Sequence, residues 1–70
     1  MSESPTYRLT EIVGTSSASV DDAIRNGIER AGRTLRNLDW FQVVEVRGAI
    51  ADSQINSYQV TMKVGFRLDD

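Results

Sequence analysis

The chain has 70 residues, carries a formal charge of -2, and contains no cysteine and no histidine. These counts exclude a disulfide framework, a thiolate metal site and the usual neutral-pH base or zinc ligand, and the slight acidity argues against non-specific nucleic-acid binding. A domain this short buries only about 60% of its unfolded surface, so assembly of several copies is the expected remedy for a small core.

Residues 1–5 are polar, end in Pro5 and read as a frayed, flexible tail on one domain spanning residues 1–70. The start lacks a charged-then-apolar export pattern, and no apolar run approaches the roughly 18 residues of a membrane span. The expectation is a cytoplasmic protein with no membrane partner. Tyr7, Leu9, Glu11 and Val13 alternate with Arg8, Thr10 and Ile12, which predicts a first strand over residues 7–13 with mixed faces. Gly14-Thr15-Ser16-Ser17 predicts the loop that ends it.

Ser19 is a good helix cap, and Asp22 three residues later stands as a short version of the capping-box acid. Asp21 and Asp22 also suit the positive end of a helix. Val20, Ile24, Ile28, Ala31 and Leu35 recur at spacings of four and three, so they form one apolar stripe. The pattern predicts a helix ending near Arg36 or Asn37. Gly27 and Gly32 weaken it by up to about 1 kcal/mol each against alanine; close approach of a backbone and simple tolerance both account for them.

A second strand is predicted over residues 41–50. There Val44, Val46 and Ile50 share one parity, and Phe41, Val43, Glu45 and Arg47 the other. Ala51-Asp52-Ser53-Gln54 is a polar break, expected as part of a long hairpin loop. The third strand, over residues 58–68, alternates most cleanly. Tyr58, Val60, Met62, Val64, Phe66 and Leu68 face one way; Gln59, Thr61, Lys63, Gly65 and Arg67 face the other. The fold class is therefore α+β in the order β-α-β-β, with the helix stripe packed on the apolar face of the third strand. The opposite sheet face, with Gln59, Lys63, Arg67 and Arg47 mixed with Phe41 and Val43, is left for water, another copy or a ligand held between copies.

The chain carries little catalytic chemistry. Its serines have no histidine to activate them. Asp21-Asp22 and Asp69-Asp70 read as cap and tail charges, and Gly14-Thr15-Ser16 lacks the lysine of a phosphate loop. The expectation is a binding protein, not an enzyme. Trp40, the one tryptophan, has two readings: core packing at a helix–strand corner, or an aromatic plate that stacks on a flat ligand. Gln59 offers an amide donor and acceptor to a ligand edge, and Arg47 or Arg67 can pair with a phosphate or carboxylate. Against these stand a solvated Gln59, and arginines ion-paired with Glu45 or Glu11 at the surface or between subunits.

Several segments carry a resemblance to a known family. They are Glu11-Ile12-Val13-Gly14-Thr15-Ser16, Ala23-Ile24, Leu38-Asp39-Trp40-Phe41, Arg47-Gly48, Tyr58-Gln59-Val60 and Val64-Gly65-Phe66-Arg67-Leu68. In spacing and over nearly the whole chain they resemble the bacterial branch of the dodecins, small flavin-binding proteins. The resemblance implies a three-stranded antiparallel sheet partly wrapped around one helix, assembled into a hollow homododecamer. It implies flavins bound in pairs between tryptophans matching Trp40, with the ring edge held by Gln59 and with Arg47 and Arg67 near the site. FMN is the implied ligand, with riboflavin and FAD as other candidates, and the implied role is storage and quenching of flavin photochemistry. Some bacterial dodecins also bind coenzyme A. Two alternatives accompany this reading: a shell that carries coenzyme A or another phosphate compound, and a flavin-dependent oxidoreductase.

Overall fold

The computed structural model describes residues 4–69, which form β1 (Tyr7–Ser16), α1 (Val20–Ala31), β2 (Leu38–Ala51) and β3 (Gln54–Arg67). Of the expected tail, Met1, Ser2 and Glu3 lie outside the described residues, while Ser4 and Pro5 are exposed and outside any strand or helix. The strands make one antiparallel sheet in the order β1-β3-β2, which is the expected β-α-β-β architecture.

β1 runs past its expected end. Gly14, Thr15 and Ser16 continue the ladder opposite Val60, Gln59 and Tyr58. Gly14 does not stop the strand; it admits the helix, because a Cβ there would overlap the Ala23 carbonyl. The same approach fixes which side of α1 is buried. The buried line is Ala23, Gly27 and Ala31, whereas Val20, Ile24 and Ile28 pack around it half-buried. A Cβ on Gly27 would stand 3.0 Å from Met62 Cε and 3.2 Å from Gly14 Cα. Close backbone approach therefore accounts for Gly27. Gly32, with only ordinary contacts around it, is the tolerated one.

Ser19 caps α1 as expected, its Oγ accepting from Asp22 N–H at 3.0 Å. The capping box does not close. The Asp22 carboxylate instead accepts from Ser16 Oγ at 2.8 Å and from Asn26 Nδ2 at 3.4 Å, tying the helix start to the end of β1. The helix ends at Ala31, five residues before Arg36, because the last turn tightens: Arg33 and Thr34 donate to Arg30 and Ala31, three residues back. Asn37 then takes φ 63, a left-handed conformation that asparagine adopts readily. Its Nδ2 donates to the Arg67 carbonyl and to Asp69, which pins the entry to β2 beside the end of β3.

β2 departs most from expectation. It begins at Leu38, so Trp40 lies inside a strand, and register shifts place extra residues at Asp39 and Val44. Each bulge inverts the parity of the residues after it. Phe41, Val43 and Val46 therefore share the helix side with their partners Val64, Met62 and Val60. Glu45 and Arg47 face away from the helix, and Phe41 and Val43 do not join them. The expected long hairpin loop is a two-residue turn, Asp52 and Ser53, with φ of 54 and 62, the backbone of a type I′ turn. Both strands extend to that turn, at 14 residues each.

The core is small: Ala23, Val60, Met62 and Val64, ringed by Ile12, Val20, Ile24, Ile28, Leu38 and Tyr58. The β3 alternation delivers it as expected, except that Leu68 lies beyond the strand and is exposed. The helix covers β1 and β3. The helix side of β2 stays uncovered, with Phe41, Val43 and Val46 exposed. The protomer measures 59 × 20 × 14 Å. Among the described residues, no helix is long and apolar enough to cross a membrane.

Candidate functional site

Residues directly opposed across an antiparallel pair point to the same side. The register therefore puts all four candidate residues on the sheet face away from the helix. Trp40 stands opposite Gly65, Arg47 opposite Gln59, and Arg67 opposite Tyr7. They form two groups. Gly65 and Gln59 are six positions apart on β3, about 20 Å at the usual rise of a strand. Trp40 and Arg67 thus sit at one end of the face, Gln59 and Arg47 toward the other. A planar ligand lying on the indole cannot reach both groups of one chain.

The first group is built around the indole. A Cβ on Gly65 would overlap Cε2, Cζ2 and Nε1 of Trp40, so the ring lies across the bare backbone of β3 and buries it. Trp40 itself remains 42% exposed. It does not fill the core at a helix–strand corner; one side of the ring rests on the strand and the other is left open. Tyr7 braces it from β1, with ring centroids 6.4 Å apart and planes inclined at 60°, a tilted arrangement that aromatic quadrupoles favour. The Tyr7 hydroxyl donates to Asp39 Oδ2 at 2.9 Å. That hydrogen bond raises the Tyr7 pKa above its ordinary value of 10.0; partial loss of water around the phenol and the Asp39 charge act the same way, and Arg67 opposes them. Asp39 reaches this face because it is the extra residue of the first bulge. Arg67 also lines a polar cavity of about 190 Å³ with Asn37, Leu38 and Asp39.

The second group is simpler. Gln59 is half-buried at the centre of the sheet and Arg47 is exposed beside it. Among the described residues, neither Arg47 nor Arg67 forms an ion pair within the chain; Arg36 and Asp69, at 3.7 Å, do. Both guanidinium groups are therefore available to an anion or to another copy. No cluster of three or more metal-binding side chains occurs among the described residues.

Sequence reasoning missed Tyr7, Asp39 and Gly65. Gly65 carried a signal, since a glycine inside a clean strand marks close approach of another group. Tyr7 and Asp39 carried none, because their meeting depends on the bulge.

Two apolar hollows open on the other side of the sheet. One, of about 440 Å³, runs between α1 and Phe41, past Ile24 and Ile28. The other, of about 340 Å³, lies among Val20, Val46, Ile50, Ile55 and Tyr58.

Comparison with known proteins gives a consistent result. The family model described as Dodecin matches residues 6–69. A curated dodecin of Thermus thermophilus is 47% identical over 64 residues, 91% of this chain and 93% of that protein. Among solved structures, the dodecin from Streptomyces davaonensis superposes with a TM-score of 0.94 at 68% identity, covering 97% of this chain and 100% of that one. The dodecin from Streptomyces coelicolor gives 0.91 at 56% identity, with 94% of each chain covered.

Proposed function

The chain belongs to the dodecin family, a family of binding and storage proteins, not enzymes, and from that premise we propose that it sequesters FMN in the cytoplasm as a homododecamer. The observation that carries this reading is the Trp40 indole, supported from beneath by Gly65 and open on its outer side. An exposed aromatic plate on a rigid sheet is a stacking surface for a flat ring system. Two such plates, one from each of two copies, enclose a pair of stacked flavins.

The separation of the two groups sets how the site is shared. Gln59 and Arg47 lie about 20 Å from the indole of their own chain, so they serve the flavin stacked on another copy's Trp40. Gln59 donates and accepts at the polar ring edge. Arg67, two residues from Gly65, and Arg47, across from Gln59, offer guanidinium groups to the phosphate. The site is therefore complete only in the assembly. Assembly is favoured independently by the uncovered Phe41, Val43 and Val46 and by the Ile50–Ile55 pair at the hairpin end, which monomers seldom leave open together. It also removes the free edges of β1 and β2.

The bound flavin supplies the photochemistry. Trp40, in face contact with it, is placed to donate an electron to the excited ring and take it back quickly. The carboxylate nearest the ring, Asp39, already accepts from the Tyr7 hydroxyl, and the chain has no histidine to act as a base, which suits storage and quenching better than turnover. The test is a titration of FMN with the assembled protein, followed by flavin fluorescence, beside Trp40→Ala. Quenching to a stoichiometry near one flavin per chain, abolished in the variant, is expected; unquenched FMN would refute the reading. Arg67→Ala or Arg47→Ala should weaken FMN more than riboflavin, by roughly tenfold for a lost charged hydrogen bond. Equal losses for both ligands would remove the arginine from the phosphate.

A further inference from the structure

The residue beneath the indole has no side chain, and the structure shows why that matters. The three nearest heavy atoms to a Cβ built on Gly65 all belong to the Trp40 ring. No core residue and no backbone atom stands closer. Gly65 does not have a positive φ, so its backbone conformation is open to alanine and conformational freedom is not what a glycine supplies here. Its partners on the two neighbouring strands are Leu9 and Trp40, and it is the Trp40 ring that a Cβ would meet, so any side chain at 65 shares the face with the ring and must displace it. The glycine is buried because the indole covers it.

We infer that Gly65 is a positioning residue for ligand binding: it is the seat that sets the height of the Trp40 plate and, through two copies, the width of the gap in which flat rings stack. The inference rests on the stacking role proposed above and adds a specificity determinant to it. A methyl group at 65 lifts or swings the indole. Because the gap is bounded by two such plates, it is altered from both sides at once. A stack of two rings tolerates this poorly, since van der Waals contact is lost over fractions of an ångström.

The test compares the assembled wild type with Gly65→Ala, Trp40→Ala and the double variant. In ligand-free protein, quenching of Trp40 emission by acrylamide should rise in Gly65→Ala, because the ring leaves its seat. In FMN titrations, Gly65→Ala should lose roughly tenfold or more in affinity, the size of an ordinary overpacking penalty. Native mass spectrometry should show fewer FMN molecules per shell. In the Trp40→Ala background the same substitution should change residual FMN binding by less than about twofold, because a residue that acts through the indole has nothing left to act on. An equal loss with and without Trp40 would overturn the inference, as would unchanged acrylamide quenching or unchanged FMN affinity. Should Gly65→Ala fail to assemble, the double variant, which removes the overlapped ring, must assemble; failure of both would refute the seat. If the wild type does not quench FMN at all, the flavin reading falls while the acrylamide comparison still decides whether Gly65 seats the ring.

Discussion

On the helix side of the sheet, Gly14 and Gly27 bring the backbones of β1 and α1 together over Met62; on the other side, Gly65 leaves room for the indole of Trp40. The same missing side chain serves opposite ends. Between β1 and α1 it lets two backbones close a core that has few large residues to fill it. Beneath Trp40 it lowers a large ring onto the strand yet keeps its outer surface open. The first face spends its apolar groups on folding within the chain. The second holds them ready for something outside it.

If that division is real, stability and binding should separate by face. The largest expected loss of stability comes from Met62→Ala. Met62 is fully buried at the centre of the core, and truncation of such a residue removes about 2–5 kcal/mol, read as a fall in the denaturant midpoint. Gly14→Ala should follow at about 1–3 kcal/mol. Its Cβ meets the Ala23 carbonyl, and a backbone atom cannot swing aside as a side chain can. Trp40→Ala should move stability by only about 1 kcal/mol or less, as for other exposed positions, while removing FMN quenching. A midpoint shift as large as that of Met62→Ala would break the comparison and return Trp40 to the core.

The smallest effect sharpens the account of the open face. Tyr7 in its protonated form donates to Asp39, and its pKa is raised in the folded state. The folded protein therefore holds that proton more tightly than the unfolded chain. The associated stabilisation is fully present below the ordinary value of 10.0 and is lost as pH rises from there through the folded value. Tyr7→Phe should abolish this component of the alkaline decline, measured as the denaturant midpoint against pH. An identical decline in the variant would assign it to other groups.

Much of this arrangement was legible in the sequence. Ser19 announced the helix start, and the alternation from Tyr58 to Phe66 identified the core face of β3. Gln59, Arg47 and Arg67 were correctly expected to share the face away from the helix, and the structure adds Trp40 to it. The spacing of Gln59 and Arg67 along one strand already set them far apart, but which of them stands beside Trp40 was not visible, because pairing across strands depends on register. Register in turn depends on the bulges at Asp39 and Val44, and a bulge leaves no mark in hydrophobic alternation. The helix stripe was misjudged for a related reason. Hydrophobicity favours Ile24 and Ile28, but the closeness of α1 to Gly14 is decided by size, so Ala23, Gly27 and Ala31 take the buried line. The hairpin turn escaped notice because Asp52-Ser53 lacks the glycine that usually marks two successive positive φ angles.

The protomer is 59 Å long and 14 Å in its shortest dimension, closer to a blade than to a ball. So little of a blade is interior that its native state is a property of the solution as much as of the molecule. Dilution should act as a denaturant: the unfolding midpoint should climb with protein concentration, as mass action requires when association supplies the missing contacts. Refolding should likewise quicken as chains are crowded together, since the encounter of copies becomes part of the reaction coordinate. A melting temperature for this protein acquires meaning only when the concentration of chains is given beside it.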